Sequence, residues 1–370
     1  MRRLTRRVMI GDVPVGGGAP VSVQSMTNTP TEDARATLEQ ISRLAEAGCD
    51  IVRVAVPNLR KDHLLRRALR SLREIVEGSP IPVVADVHFD HTLALAALEA
   101  GVHGLRINPG NIGGPEKVRE VAEAAGERGV PIRVGVNAGS LRRDLLERYG
   151  HPTAEALVES ALEEIRVLEG CGFYDIKVSV KASSVPLTVE AYRLLSREVD
   201  YPLHVGVSEA GPPWTGTVRS AVGIGTLLAE GIGDTIRVSL AGDPLREVQA
   251  GVAILRALEM RREGVEVVAC PTCARTRIDV AGIAAELEER LAGCRAPLRV
   301  AVMGCAVNGP GEAREADLGV AGGRNRGLLF RRGEPVGWYA KEELLAVLLA
   351  EVEKMEREYL TDKEGEEEGR

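Results

Sequence analysis

Eight short β-branched runs, each followed by a helical pattern, constrain this chain more than any other feature. The runs cover residues 21–25, 51–56, 82–88, 105–108, 132–137, 175–181, 203–208 and 236–240. Segments 31–47, 62–77, 91–100, 115–128, 153–170, 189–198, 218–230 and 245–263 alternate with them. These carry apolar residues three and four apart and often end in Gly. Eight alternations over roughly 240 residues predict an α/β fold, a (β/α)8 or TIM barrel. Ahead of them, residues 8–10 and 13–15 around Gly11-Asp12 predict a hairpin that plugs the barrel's bottom.

Near Gly264 the pattern changes. Strands at 265–269 and 298–303 and helices at 277–291 and 341–359 predict a smaller α+β domain. The division is therefore a barrel over 1–263, a second domain over 264–360 and an acidic tail over 361–370. The tail's composition reads as solvated disorder.

Strands buried on both faces normally read as continuous Val, Ile and Leu. Here polar residues alternate with the apolar ones, so one set faces the helices and the other the barrel axis. The axis then carries Arg53, Asp86, His88, Arg106, Asn108, Arg133, Asn137, Lys177, Ser179, Lys181, His204 and Arg237, with Glu209 just past the seventh strand. Only seven of the 47 basic residues are lysines, and Lys177 and Lys181 are the only ones between Lys117 and Lys341. Any one of these cations is as readily a paired structural residue. As a set, buried like charges are costly without an anion. In a chain of net charge −7, a cationic barrel mouth implies a small, multiply charged anion such as a phosphate or diphosphate.

The acidic balance argues against a nucleic-acid binder. No run reaches the ~18 apolar residues of a membrane span. The arginine-rich start, interrupted by Asp12, does not read as a secretory signal. Six cysteines are too few for a disulfide scaffold and fit a reducing cytoplasm.

Those cysteines carry the second signal. Cys270-Pro271-Thr272-Cys273 joins a strand to a helix, and Cys305 opens the turn Ala306-Val307-Asn308-Gly309-Pro310-Gly311-Glu312 after another strand. A lone CxxC suits a redox pair, but a third cysteine in a glycine-rich turn favours a metal, because backbone N–H groups must approach sulfur. With Cys294 as fourth ligand the set suits zinc. With Glu312 it suits an iron–sulfur cluster with one exchangeable iron. Spacing alone leaves the two level. Cys49 and Cys171, alone at helix ends, read as small buried residues.

These motifs, together with Val-Gln-Ser-Met-Thr at 23–27, Val-Arg-Val-Ala-Val-Pro at 52–57, Val-Ala-Asp-Val-His-Phe at 84–89 and Leu-Arg-Ile-Asn-Pro-Gly-Asn-Ile-Gly at 105–113, resemble the bacterial 4-hydroxy-3-methylbut-2-enyl diphosphate synthase family over about residues 4–350. The resemblance implies a cytoplasmic enzyme of the non-mevalonate isoprenoid pathway. It would reductively open 2-C-methyl-D-erythritol 2,4-cyclodiphosphate, with electrons from flavodoxin or ferredoxin. It implies one [4Fe–4S] cluster per chain on Cys270, Cys273, Cys305 and Glu312. It also implies a homodimer in which one chain's cluster domain serves the other's barrel, and no nucleic-acid or membrane partner. By position, Arg53, Arg106, Asn108, Arg133, Asn137, Lys177, Ser179, Lys181, His204 and Arg237 are expected to bind substrate. Glu209 is expected to deliver a proton, with His88 and Asp86 as further catalytic candidates. Two rivals stand beside this reading: a zinc-containing barrel enzyme for a phosphorylated metabolite, and a regulatory protein that binds one.

Overall fold

The computed structural model describes the backbone of residues 2–57, 62–305 and 313–368, and their side chains except at 62–64, 313 and 364–368. The chain divides into two compact units, Met1–Met260 and Arg261–Arg370. The break thus falls slightly before the change of pattern at Gly264.

The first unit begins with the hairpin β1 (Arg7–Ile10) and β2 (Val13–Gly16), turned at Gly11 with φ +60°. Positive φ there suits glycine. Val8, Ile10 and Val15 pack with Ile51 and Val84, near the starts of two barrel strands, so the hairpin closes that end.

The barrel strands are β3 (Ser22–Met26), β4 (Ile51–Ala55), β5 (Val83–Asp86), β6 (Gly104–Ile107), β7 (Ile132–Asn137), β8 (Ile176–Lys181), β9 (His204–Val205) and β10 (Thr235–Ile236). They form one parallel sheet in the order β8-β7-β6-β5-β4-β3-β10-β9, and a parallel bridge between Val178 and Leu203 joins its two ends. Val52, Val54, Val134, Val136, Val178 and Val180 share one apolar cluster with Leu44, Leu72, Ile165 and Leu195 of the surrounding helices. The intervening polar residues are thereby turned to the axis.

β9 and β10 are shorter than the sequence runs that predict them. Regular pairing stops where backbones crowd: a Cβ on Gly206 would lie 2.3 Å from the Arg237 carbonyl oxygen. Asp33, Asp90, Thr153, Ser184 and Asp243 cap helix N-termini with their side chains.

The second unit holds a five-stranded sheet in sequence order: β11 (Glu266–Ala269), β12 (Arg299–Met303), β13 (Leu318–Gly322), β14 (Arg326–Arg331) and β15 (Glu334–Ala340). β11–β13 pair in parallel and β13–β15 antiparallel. Helices Val280–Arg290 and Leu344–Glu368 lie with it, sharing a core of Leu287, Val300, Val302, Leu318, Val320, Leu348 and Val352. The sequence pattern omits β13–β15, because glycine interrupts the alternation. Gly319 faces Phe330 across the sheet, and a Cβ there would lie 2.4 Å from the ring's Cζ. The last helix also continues to Glu368, through most of the segment whose acidity predicts disorder. Helix propagates cheaply from a packed nucleus through Glu and Lys.

Candidate active site

At the C-terminal ends of the barrel strands, the end where barrel enzymes hold their chemistry, lies a cavity of about 840 Å³. Arg53, Asp86, Arg106, Arg133 and Lys181 line it from five consecutive strands, β4 to β8, and all five are buried. His88, Asn137, Glu209, Arg237 and Glu247 also line it. Gly135 and Gly206 are inward positions where a side chain would collide with these groups: a Cβ would lie 3.0 Å from Arg133 Nη1 in the first case and 2.9 Å from Lys181 Nζ in the second.

Asp86 is the acid at the centre. Arg53 Nε stands 3.5 Å from one carboxylate oxygen and Arg106 Nη1 3.3 Å from the other. Burial opposes its charge, but Arg53 and Arg106 outweigh this and hold Asp86 below the usual carboxylate range. Arg106 Nη1 also approaches the His88 ring, 2.5 Å from Nε2 and 3.1 Å from Nδ1. Burial and the positive charge of Arg106 lower the His88 pKa, so the ring is a neutral acceptor toward the guanidinium. Half-exposed, it can meet a ligand.

Burial weighs on the other cations, and on Arg53 as well. Burial, then Arg53 and Arg106, push Arg133 well down, while Arg53 falls to about 10 chiefly through burial. Lys181 is lowered by burial and by Arg133. Such a cluster is at rest only with a multiply charged anion among its donors.

Lys177, Ser179 and His204 sit below the cavity wall rather than in it, each fully inside the barrel. Arg133 Nη1 donates to Ser179 Oγ at 2.6 Å. Lys177 Nζ and both His204 ring nitrogens have no hydrogen-bond partner among the described residues. Burial, reinforced by neighbouring cations, lowers both the Lys177 and the His204 pKa. These three support the wall and do not form it.

Asn108 is turned away altogether. The strand ends at Ile107, and Asn108 Oδ1 accepts from Gly110 N at 3.0 Å to cap the turn Pro109–Asn111. Its expected place at the axis is therefore not observed. Its other neighbour is Glu164, a buried acid raised to about 8 by burial.

Glu209 is exposed at the mouth with φ +51°, a conformation uncommon outside glycine. Its turn is held at both ends, by Ser208 N donating to Ala182 O (3.1 Å) and Ala241 N to Gly211 O (3.0 Å).

Two buried carboxylates escape a strand-based reading, Glu164 and Glu247. Their signal lies in the helices. Each interrupts the apolar stripe of its helix, Glu164 among Leu157, Ala161, Ile165 and Leu168, and Glu247 among Pro244, Val248 and Gly251. A charge in that stripe has to face something polar inside.

In the second unit, Cys270 follows β11 and Cys305 follows its parallel neighbour β12, so both stand at one edge of the sheet. Cys273 is exposed in the turn between β11 and the next helix. Gly304 N donates to Cys270 Sγ at 3.0 Å, the backbone-to-sulfur bond that thiolates in iron–sulfur sites accept. A Cβ on Gly304 would lie 3.0 Å from the Thr276 side chain, so glycine lets the backbone approach the sulfur without moving it. The donor set thus fits an iron–sulfur cluster. Among the described residues no three candidate ligands converge on one point, and Glu312 lies outside the described residues. Cys294 precedes β12 and Cys305 follows it, so the length of that strand lies between them in the chain.

Residues 5–252 match the GcpE TIM-barrel domain and residues 266–354 the GcpE protein C-terminal domain. A Geobacter sulfurreducens protein described as 4-hydroxy-3-methylbut-2-en-1-yl diphosphate synthase (flavodoxin) is 59% identical over 355 residues, covering 96% of this chain and 99% of its own. A protein of the same description from Caldanaerobacter subterraneus is 56% identical over 358 residues, covering 97% and 99%. Among solved structures, dihydropteroate synthase from Xanthomonas albilineans in complex with 7,8-dihydropteroate superposes with a TM-score of 0.51 at 17% identity, covering 69% of this chain and 98% of that one. That likeness concerns the barrel fold alone. With both domains matched, the chain belongs to the GcpE family.

Proposed function

We propose that this chain converts 2-C-methyl-D-erythritol 2,4-cyclodiphosphate to 4-hydroxy-3-methylbut-2-enyl diphosphate in the non-mevalonate route to isoprenoids. The observation that carries the proposal is the buried cationic cavity, in a chain of this family. A cyclic diphosphate is a compact dianion that matches it in charge. Opening the ring at a carbon–oxygen bond and losing one hydroxyl as water consumes two electrons and two protons.

Arg53, Arg106, Arg133, Lys181 and Arg237 bind the diphosphate, and Asn137 adds a neutral donor. Binding the anion offsets the burial that opposes the charges of Arg133 and Lys181. Asp86 aligns Arg53 and Arg106, and the neutral His88 ring completes that edge. Glu209, at the mouth on a turn tied down at both ends, delivers a proton to the departing oxygen.

A [4Fe–4S] cluster, one per chain, would be held by Cys270, Cys273, Cys305 and Glu312, and supplies single low-potential electrons that no side chain can. Flavodoxin, which appears in the relatives' descriptions, is the electron donor, with ferredoxin as the substitute. The working form is a homodimer with a shared site. Trp214, Val218 and Val222, exposed four residues apart on helix Pro213–Ala229, support self-association. No helix among the described residues is long and apolar enough to cross a membrane, in keeping with a cytoplasmic place. A zinc enzyme or a regulatory binding protein would use the same cavity, but neither agrees with the kinship.

Anaerobically purified protein tests this. It is expected to be brown, to carry about four iron and four sulfide per chain, and to consume the cyclic diphosphate with a low-potential reductant. Colourless, zinc-bearing protein that leaves the substrate intact would overturn the reading. For the homodimer, mixing Cys305→Ser and Arg133→Leu chains is expected to restore part of the activity. No recovery after subunit exchange would exclude a shared site.

A further inference from the structure

Glu247 is a carboxylate on a helix outside the barrel that nevertheless lines the cavity, 6% exposed. Its oxygens are bound on two sides. Oε2 accepts from Ser25 Oγ on β3 at 3.1 Å, and Oε1 accepts from Leu240 N at 3.0 Å. Arg237 Nε stands 3.6 Å from Oε2. An acid buried in a cationic cavity weakens the field that attracts an anion, so its presence there calls for a compensating task.

The connections of Leu240 suggest one. Leu240 bridges in parallel to Gly211, and Ala241 N donates to Gly211 O at 3.0 Å. Gly211 ends the turn that carries Glu209. Gly216 keeps this corner tight, because a Cβ there would lie 2.6 Å from Leu240 Cδ2 and 2.9 Å from Gly211 O. One carboxylate thus reaches the cation at the cavity wall and, through two backbone links, the turn at its mouth.

We propose that Glu247 is a positioning residue: it aims Arg237 at the bound diphosphate and fixes the segment against which the Glu209 turn is held. This rests on the anion-binding reading of the cavity given above. Glu247→Gln removes the charge and turns the Oε2 acceptor facing Ser25 and Arg237 into a donor, while the amide oxygen can still accept from Leu240 N.

The sign of the effect separates positioning from simple electrostatics. Through the field alone, removing a negative charge from beside the cations would tighten anion binding. Through positioning, it loosens the arginine and weakens binding. Calorimetric titration of the full-length, anaerobically prepared protein with inorganic diphosphate reads this directly. Glu247→Gln is expected to weaken binding on the order of tenfold. In an Arg237→Gln background it is expected to add less than about twofold, because coupled residues are not additive. Unchanged or tighter binding in Glu247→Gln, or a full additional loss in the Arg237→Gln background, would overturn the proposal. Should Glu247→Gln not fold, Ser25→Ala, which removes only the hydroxyl at Oε2, is expected to weaken binding in the same direction but less. Wild-type protein that ignores diphosphate would overturn the anion-site reading and this inference with it. A wild type that binds normally beside an unaffected Glu247→Gln would remove the inference alone.

Discussion

Gly135 leaves empty the space that the Arg106 guanidinium fills. A Cβ there would lie 3.1 Å from Arg106 Nε and 3.3 Å from Nη2, while the Gly135 carbonyl accepts from that same Nη2 at 3.3 Å. Gly135→Ala therefore presses on the end of a flexible side chain and not on backbone. The melting temperature is expected to stay within a few degrees of wild type, while substrate affinity falls about tenfold as the guanidinium is displaced. Calorimetry beside a thermal melt checks both. Intact affinity with a collapsed melting temperature would mean that the glycine serves packing alone.

Lys177 is the cation with least support. It is buried, without a hydrogen-bond partner among the described residues, and its charge is opposed by burial and by Arg133. Replacing an uncompensated buried ion with an apolar side chain of similar length is expected to stabilise the empty protein by ~1–3 kcal/mol. Chemical denaturation of Lys177→Met, with and without diphosphate, measures this. The anion should stabilise the variant less than wild type. A strongly destabilised Lys177→Met would assign the lysine to the fold.

Much of this site was legible because the barrel enforces strict alternation. In β7, Arg133, Gly135 and Asn137 face one side and Ile132, Val134 and Val136 the other, and period two alone recovers that division. Alternation fails where strands end. Asn108 lies one residue past β6 and follows the geometry of its turn. Depth is also invisible to it: Lys177 and Lys181 share a face of β8, but only Lys181 reaches the cavity. Glu247 arrives from a helix, so no strand pattern contains it. β13–β15 were missed because Gly319 makes room for Phe330, a contact that depends on a cross-strand partner eleven residues away.

Glu164 gives a pH signature. Burial raises it to about 8 in the folded protein, against ~4.3 in an unfolded chain. Between those values the folded state holds a proton that the unfolded state has released. Its contribution to stability is therefore full below ~4.3 and is lost as pH rises through 8, with a slope of at most ~1.4 kcal/mol per pH unit. Glu164→Gln is expected to flatten that slope and to be more stable than wild type at pH 8. Denaturant midpoints from pH 5 to 9 test it, and parallel curves for the two proteins would contradict it.

Cys294 and Cys305 flank the same strand of the second unit's sheet. Cys294 lies before β12 and Cys305 after it, and a five-residue strand spans roughly 16 Å. Cys294→Ala is expected to keep its iron and colour, whereas Cys270→Ser, which removes the sulfur that Gly304 N donates to, is expected to lose most of both. Iron and sulfide analysis of the anaerobic variants decides. Iron lost from Cys294→Ala and kept in Cys270→Ser would contradict the assignment.

Reduction of a cyclic diphosphate by the cationic barrel cavity and the cysteine-bearing unit requires a fixed electron count. Single-turnover reaction of the anaerobic protein with 2-C-methyl-D-erythritol 2,4-cyclodiphosphate and reduced flavodoxin tests it most directly, with substrate, product and oxidised flavodoxin counted together. One 4-hydroxy-3-methylbut-2-enyl diphosphate is expected for every two one-electron equivalents consumed, and none in Arg133→Leu. Substrate left intact by a protein carrying its full iron and sulfide, or product formed without consumption of reductant, would contradict it.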